Sequence, residues 1–400
     1  MVAAMAGKLI LKAQEHRRIV EGHLWVFSNE MAKVEGASTP GDPVRVYSRS
    51  GSLLGSAYYN PHTLVAARLY SHADEDLDAA LISRRLTEAL SLRRRLFPER
   101  PAFRLIHSEG DGLPGLIVDV YRDVAVVQIL TAGMERVRPI VLEQLSGLLP
   151  FRAVYERSDP AYRALEGLAP SEGPLLGDAP GPFEIEEDGV RIVVDVVRGQ
   201  KTGLFLDQYD NRRRFRSFLP HGARVLDCFC YVGGWAMAGL AAGAREVVGI
   251  DSSAWALEQA QANARLNGWA DRCRWVRADA VETLRTWANE SEPERFDAIV
   301  LDPPAFAKSK KHAAAAQRAY GGINAAAMRL LLPGGLLATC SCSHHIDATT
   351  FDGLVARAAR ETRRRCRILA RFSQSPDHPA VPAMPETTYL KGLLLEVQPC

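Results

Sequence analysis

The chain has 400 residues, with 49 Lys and Arg against 47 Asp and Glu and a formal net charge of +2. That length implies two or three domains with ample core, and so small a net charge does not by itself argue for nucleic-acid binding. Seven cysteines without a framework spacing, and no apolar run of membrane-spanning length, exclude a disulfide-stapled secreted fold and a transmembrane protein. The N-terminal MVAAMAGKLILKAQEHRR has no long apolar core and no cleavage pattern, so no signal peptide is expected and the chain is read as cytoplasmic.

Residues 1–72 read as a small β-rich module. Gly41-Asp42-Pro43 opens a hairpin that turns at Ser50-Gly51, and Val65–Tyr70 supplies another strand. Residues 73–187 form a middle α+β domain. A basic helix over Ala79–Phe97 stops at Pro98, and the turn-rich RLIHSEGDGLPG (Arg104–Gly115) follows. Strands Leu116–Tyr121 and Val124–Leu130 split at Arg122-Asp123, before a helix over Met134–Leu149 and a strand at Ala153–Arg157. The Pro- and Gly-rich Ala169–Pro182 is the clearest linker.

Residues 188–400 form the third domain. Strand Val190–Val197 precedes a turn with Gln200 and Lys201, expected to close over a cofactor, and a helix opening near Gln208. The pattern then becomes strand, glycine turn, small-residue helix and strand from Arg224 to Asp251, a parallel βαβ unit. Ligands of such sheets sit beyond the carboxyl ends of the strands, where Asp227, Phe229, Gly233-Gly234 and Asp251-Ser252 fall. Ser252 is expected to cap the helix Ala254–Leu266. A third strand, Cys273–Val276, ends near Asp279-Ala280, a fourth is Ala298–Leu301 and a fifth is Leu336–Cys340. A helix over 352–371 and a last strand, Tyr389–Val397, close the chain.

The glycine loop lacks GxGxxG spacing and a Walker lysine, which favours a nucleoside ligand without a pyrophosphate. With an acid ending each of two strands it resembles the S-adenosylmethionine (SAM) site of class I methyltransferases. Asp251 would then take the ribose diol and Asp279 the adenine amine; an ordinary α/β domain without that ligand is the alternative. Beyond the fourth strand, Asp302, the stiff Pro303-Pro304 pair and Phe306 offer acceptors and a ring for a flipped base with an exocyclic amine. Asp302 also borders the cofactor crevice. This motif alone fits methylation of adenine N6 or guanine N2 equally well.

Thr339-Cys340-Ser341-Cys342-Ser343 points to other chemistry. Carbon 5 of a pyrimidine is too poor a nucleophile to take a methyl group directly. A thiolate added at carbon 6 makes carbon 5 enamine-like, a step suited to cysteine. The bland alternative is a cysteine packed as a small hydrophobe. Cys228-x-Cys230 and Cys340-x-Cys342 lack zinc-knuckle spacing, so no metal site is expected.

RLIHSEGDGLPGL, GQKTGLFLDQYDNR, LDCFCYVGGW, LDPPAFAKSK, CSCS and DHPAVPAMPETTYLKGLLLEV together resemble the ribosomal RNA large subunit methyltransferase I family, over almost the whole chain. The resemblance implies a Rossmann-like class I methyltransferase domain preceded by a β-barrel PUA-like RNA-binding domain and an α+β middle domain. It also implies 5-methylcytosine formation in 23S rRNA or a large-subunit precursor, with SAM as cofactor and a homodimer that nothing in the residues demands. The family's nucleophile lies in an SCS segment, which carries that role to Cys342. Cys340, and His344 in place of the usual glycine, depart from the pattern. No group stands out to take the carbon-5 proton, His344 and His345 being nearest in sequence. An RNA-binding assembly factor with a vestigial SAM site is the reading from another class. Three arginine runs, at 93–95, 212–216 and 363–367, are read as solvated faces or phosphate contacts.

Overall fold

A computed structural model describes residues 6–306 and 310–400. The chain divides into two compact units: Met1–Ile185 with Val194–Leu206 and Pro376–Thr388, and Glu186–Val193 with Asp207–Ser375 and Tyr389–Cys400. No helix among the described residues is long and apolar enough to cross a membrane.

The first unit holds two sheets, each over its own core. Six strands run in the order Trp25–Phe27, Val65–Ser71, Leu53–Tyr59, Asp42–Tyr47, Gly7–Leu11, Met31–Glu35 around Leu9, Val26, Val44, Val46 and Leu69. Five more run Glu172–Leu176, Ala153–Arg157, Val124–Ile129, Leu116–Tyr121, Ala102–His107. Helices Ala79–Leu96 and Arg138–Leu148 pack on that second core. The stretch expected as a linker is therefore partly strand: Glu172–Leu176 pairs antiparallel with Ala153–Arg157. Its Gly173 and Pro174 sit where an edge strand tolerates them. The helix expected over Met134–Leu149 is two helices, Ala132–Arg136 and Arg138–Leu148, parted just before Pro139.

The second unit is built on one seven-stranded sheet. Its strands are β1 (Arg224–Cys228), β2 (Glu246–Asp251), β3 (Cys273–Arg277), β4 (Phe296–Leu301), β5 (Leu331–Ser341), β6 (Arg364–Ser373) and β7 (Lys391–Pro399). They lie in the order β3-β2-β1-β4-β5-β7-β6. β1 to β5 are parallel, and β7 runs antiparallel between β5 and β6. β1, β2 and β4 are almost wholly buried because helices cover both faces, which is why they read as unbroken apolar runs. Those helices are α1 (Tyr209–Phe218), α2 (Gly234–Ala241), α3 (Ala254–Leu266), α4 (Ala280–Trp287), α5 (Ala313–Leu330) and α6 (Ala348–Glu361).

Two expectations fail here. The helix drawn over 352–371 ends at Glu361; Arg363 turns in the left-handed region, and Arg364–Ser373 is the edge strand β6. RRCRILARFS alternates poorly because an edge strand lets both faces meet solvent, so its period did not separate it from the helix before it. The cap of α3 is Ser253, whose Oγ accepts from Ala256 N at 3.2 Å, and Ser252 is exposed.

Candidate active site

The carboxyl ends of β1, β2, β4 and β5 converge on one edge of the second unit, as parallel strands require. After β1 the chain makes a cramped loop in which Phe229 (φ +62°), Tyr231 (φ +50°) and Gly233 (φ +84°) are all left-handed. For a residue with a Cβ that conformation costs roughly 1–2 kcal/mol, so the surroundings must enforce it. They do: Tyr231 N donates to Asp251 Oδ2 at 2.9 Å, Cys230 N to Ile250 O at 3.0 Å, and Asn263 Nδ2 to Val232 O at 2.9 Å. The loop is thus tied to β2 and α3. A Cβ at Gly233 would meet Ala260 Cβ and the Trp275 ring at 3.3 Å, whereas the nearest side chain to one at Gly234, Arg212, is 3.7 Å away. Gly234 is therefore the less crowded of the two glycines, a Cβ there being in ordinary contact with the end of a flexible side chain.

The acids differ in state. Asp227 is fully buried; Oδ2 accepts from Ala236 N at 2.9 Å in the first turn of α2, and Oδ1 is buried without a hydrogen-bond partner. Burial, with the charges of Asp302 and Asp251, pushes its carboxyl well above the usual range. Asp251 is half-buried and accepts from Ser253 N at 2.9 Å besides Tyr231 N. Asp279 is exposed and caps α4 through Glu282 N at 2.9 Å, while Ala280 beside it is buried.

Asp302, just past β4, is more constrained than its sequence suggests. Gln208 Nε2 donates to Oδ1 and Trp235 Nε1 to Oδ2, each at 2.9 Å. Burial nevertheless lifts its carboxyl to about 6. Gln208 and Trp235 are the residues sequence reasoning missed. Their roles arise from sheet order, which brings α1, the first turn of α2 and the end of β4 together, and no local pattern marks them. Phe306 packs between Phe229 and Tyr320, with ring centroids 6.3 and 4.8 Å away. Pro303 is buried and Pro304 exposed; Ala307-Lys308-Ser309 of the same motif lie outside the described residues.

The two cysteines after Ala338 separate cleanly. Cys340 is fully buried, and burial pushes its thiol well above the usual range. Cys342 is half-buried past the end of β5, its Sγ 3.9 Å from the carbonyl of Pro303 beyond β4. Cys342 and the DPPAF segment therefore meet. His344 and His345 are both exposed, and Asp347, not a histidine, caps α6. Gln200 and Lys201 belong to the first unit, where both are exposed and Lys201 Nζ lies 5.0 Å from the centroid of the Phe205 ring.

The arginine runs have unequal fates. Arg93 is buried and bonded to both carboxylate oxygens of Asp111, so it is not available at the surface. Arg212 and Arg213 pair with Glu187 and Asp188. Arg363 and Arg364 instead line, with Arg295 and Arg329, a groove of about 330 Å³ at the amino ends of β4 to β6.

Residues 169–396 match the family model of S-adenosylmethionine-dependent methyltransferases, and residues 9–72 match that of a PUA-like domain. Two solved structures share the fold over 97% of this chain and 99% of their own. One is a SAM-dependent methyltransferase from Streptococcus mutans (TM-score 0.83, 20% identity); the other is a methyltransferase complexed with S-adenosylhomocysteine (TM-score 0.85, 19% identity). Fold and match define the class: a SAM-dependent methyltransferase with a Rossmann-like catalytic domain and an N-terminal PUA-like domain. Among curated proteins, the ribosomal RNA large subunit methyltransferase I of Shewanella denitrificans is 41% identical over 98% of this chain and all of its own. The Vibrio cholerae protein of that name is 41% identical over 94% of this chain and 95% of its own. The chain belongs to the ribosomal RNA large subunit methyltransferase I family.

Proposed function

We propose that this protein methylates carbon 5 of a cytosine in large-subunit (23S) ribosomal RNA through a covalent adduct on Cys342. The observation that carries the reading is the meeting of Cys342 Sγ with the Pro303 carbonyl. A thiol needed only for packing would sit as Cys340 does.

The residues fit SAM. Gly234 would let a ligand approach the loop, Asp251 keeps acceptor capacity towards a ribose, and Asp279 and Ala280 would flank the adenine end, with Phe229, Ser252 and Asp302 completing the rim and buried Asp227 and Gly233 bracing the loop from beneath. Bound there, SAM supplies an electrophilic methyl group. The other roles belong to the chain. Asp302 and the Pro303 carbonyl accept from the cytosine amine, Pro304 lines the base, and Phe306 offers it a ring face. Cys342 as thiolate adds to carbon 6, and the electron pair of the 5,6 double bond moves to carbon 5, which becomes the nucleophile. Once carbon 5 is methylated, a base takes its proton, the carbon–hydrogen pair re-forms the 5,6 double bond, and the carbon–sulfur pair returns to sulfur and releases the RNA.

RNA would be held by the PUA-like domain and by exposed arginines, largely through shape and phosphate. The groove lined by Arg295, Arg329, Arg363 and Arg364, together with Glu290, is proposed as one place where phosphates are held. The domains are proposed as 1–72, 73–187 and 188–400, in a cytoplasmic enzyme.

The test is incubation with labelled SAM and deproteinised 23S rRNA, followed by digestion to nucleosides. Label in 5-methylcytidine, lost in Cys342→Ala, is expected. Label in a methylated purine that survives Cys342→Ala would overturn the carbon-5 reading in favour of amine transfer. SAM binding without turnover on any RNA would favour an assembly factor.

A further inference from the structure

β5 and β7 run antiparallel in a register that sets Ser341 opposite Lys391. The Lys391 side chain then reaches past the strand end, where Nζ donates to Ser343 O at 2.6 Å and to Tyr389 O at 3.0 Å. Both neighbours of Cys342 are therefore tied to one lysine, Ser341 by strand pairing and Ser343 by a hydrogen bond to the ammonium. A half-buried lysine gains little from two neutral carbonyls for what its desolvation costs. Such a charge is kept where an anion forms beside it.

We propose that Lys391 is the positioning residue of Cys342, its ammonium serving as the counter-charge that holds the nucleophile as a thiolate. The proton of the Cys342 thiol is carried by the Lys391 amine, so the S–H electron pair stays on sulfur, ready to form the bond to carbon 6, and the pair as a whole remains neutral. When that carbon–sulfur bond breaks, the negative charge returns to the same ammonium. This use of the pair rests on the carbon-5 reading; the bonds of Lys391 to the residues beside Cys342 do not.

The surroundings are consistent. Burial brings the Lys391 ammonium down to about 8, opposed by the charges of Cys342 and then Asp347. Among the described residues, the titratable groups around the pair are Cys340 on β5, His344 and Asp347 after it, Asp302 after β4, Tyr320 on α5, and Tyr389 with its partner Asp207. Tyr320 Oη lies 3.0 Å from Ser343 Oγ, Tyr389 Oη donates to Asp207 at 2.6 Å, and the His344 ring lies 6.1 Å from that of Tyr389. Asp347 is the competing anion; it is exposed and uses Oδ1 to cap α6 through Thr350 N at 2.6 Å.

The test is the pH profile of iodoacetamide alkylation at Cys342, read by peptide mapping in the full-length protein, with exposed Cys400 as the internal reference. Lys391→Met is expected to move the Cys342 midpoint up by about one unit or more, slowing alkylation near pH 7 roughly tenfold and leaving Cys400 unchanged. Lys391→Arg restores the profile, and Asp347→Asn leaves it in place. Turnover of Lys391→Met falls in kcat with KM for RNA unchanged. Should Lys391→Met fail to fold, Lys391→Gln keeps a donor for the carbonyls and carries the same measurement. A folded variant with an unmoved Cys342 midpoint overturns the proposal. Methylation that survives Cys342→Ala overturns the carbon-5 reading instead, and leaves the alkylation shift standing.

Discussion

At the scale of single residues, the site is governed by what burial does to charge. Asp302 keeps two strong donors, Gln208 and Trp235, and still has its carboxyl raised to about 6 by burial. Its folded value lies above its unfolded one, so the ionised form costs stability. That cost is absent below about pH 4, grows between pH 4 and 6, and is constant above. Asp302→Asn loses one hydrogen bond but cannot ionise. Its stability deficit relative to wild type, from urea midpoints, is therefore expected to shrink as pH rises from 4.5 to 7.5. A deficit independent of pH would show that Asp302 titrates normally. The two cysteines make a second contrast. Cys340→Ala is expected to lose roughly 1 kcal/mol of stability while retaining transfer, because Cys340 is fully buried against Gly392 of β7 and, among the described residues, touches the site only through Gln208. Cys342→Ala is expected to keep its melting temperature and lose transfer, and the two readouts taken together check both statements.

At the scale of elements, tight turns and long-range ionic bonds hold what the strands alone cannot. A Cβ at Gly233 meets both a left-handed φ and two neighbours at 3.3 Å. Gly233→Ala should cost roughly 1–3 kcal/mol and weaken SAM binding, measured by calorimetric titration; an unchanged affinity would mean that the loop tolerates the shift. In the first unit, RLIHSEGDGLPG and the DHP segment at Asp377 meet across more than 250 residues of chain. Arg104 N donates to Asp377 Oδ2 at 2.9 Å, Arg100 Nη1 to the same oxygen at 3.2 Å, and His378 Nδ1 lies 2.8 Å from Oδ1. Arg104 in turn holds both oxygens of Asp119 at 2.8 Å, and Thr202 Oγ1 donates to Asp119 at 2.6 Å. His378, Arg100 and Arg104 hold the Asp377 carboxyl far below the usual range against its burial. Its stabilisation is present above about pH 4 and is lost as pH falls below that. Asp377→Asn is expected to cost about 3–5 kcal/mol at neutral pH, since it strands buried arginine charge, and progressively less in acid. Thermal melts at pH 7 and pH 3.5 read the difference. This knot accounts for the density of motif residues in a loop that otherwise looked like a plain turn.

At the scale of the whole molecule, cofactor and RNA act as ligands of the folded chain. SAM at a hundred times its Kd should stabilise the protein by about 2.7 kcal/mol, seen as a rise in melting temperature that Gly233→Ala diminishes. RNA affinity should fall steeply with salt. Replacing Arg295, Arg329, Arg363 and Arg364 by Gln should flatten the slope of log K against log salt by roughly 0.7–0.9 for each phosphate no longer neutralised. An unchanged slope would leave those arginines solvated and place phosphate binding elsewhere on the surface.

The SAM-dependent class, β1 to β5 and the glycine loop were legible in the residues, because each is written locally: apolar runs, a Gly-Gly entrance, acids at strand ends. The start of the chain was legible only as a small β-rich module, and its PUA-like character came from resemblance. The edge strand β6, the strand inside the expected linker and the split helix before Pro139 were not legible, because edge positions and short elements carry weak periodicity. Least legible were the partnerships of Asp302 with Gln208 and Trp235, of Asp377 with Arg100 and Arg104, and of Lys391 with the segment around Cys342. Each joins residues that only sheet order and strand register bring within bonding distance. Sequence by itself determined which chemical groups the protein has to work with and at which strand ends they stand. Tertiary structure alone decided which of those groups are buried, which are bonded, and so in which charge state each one acts, since burial and bonding are properties of neighbours and not of the residue.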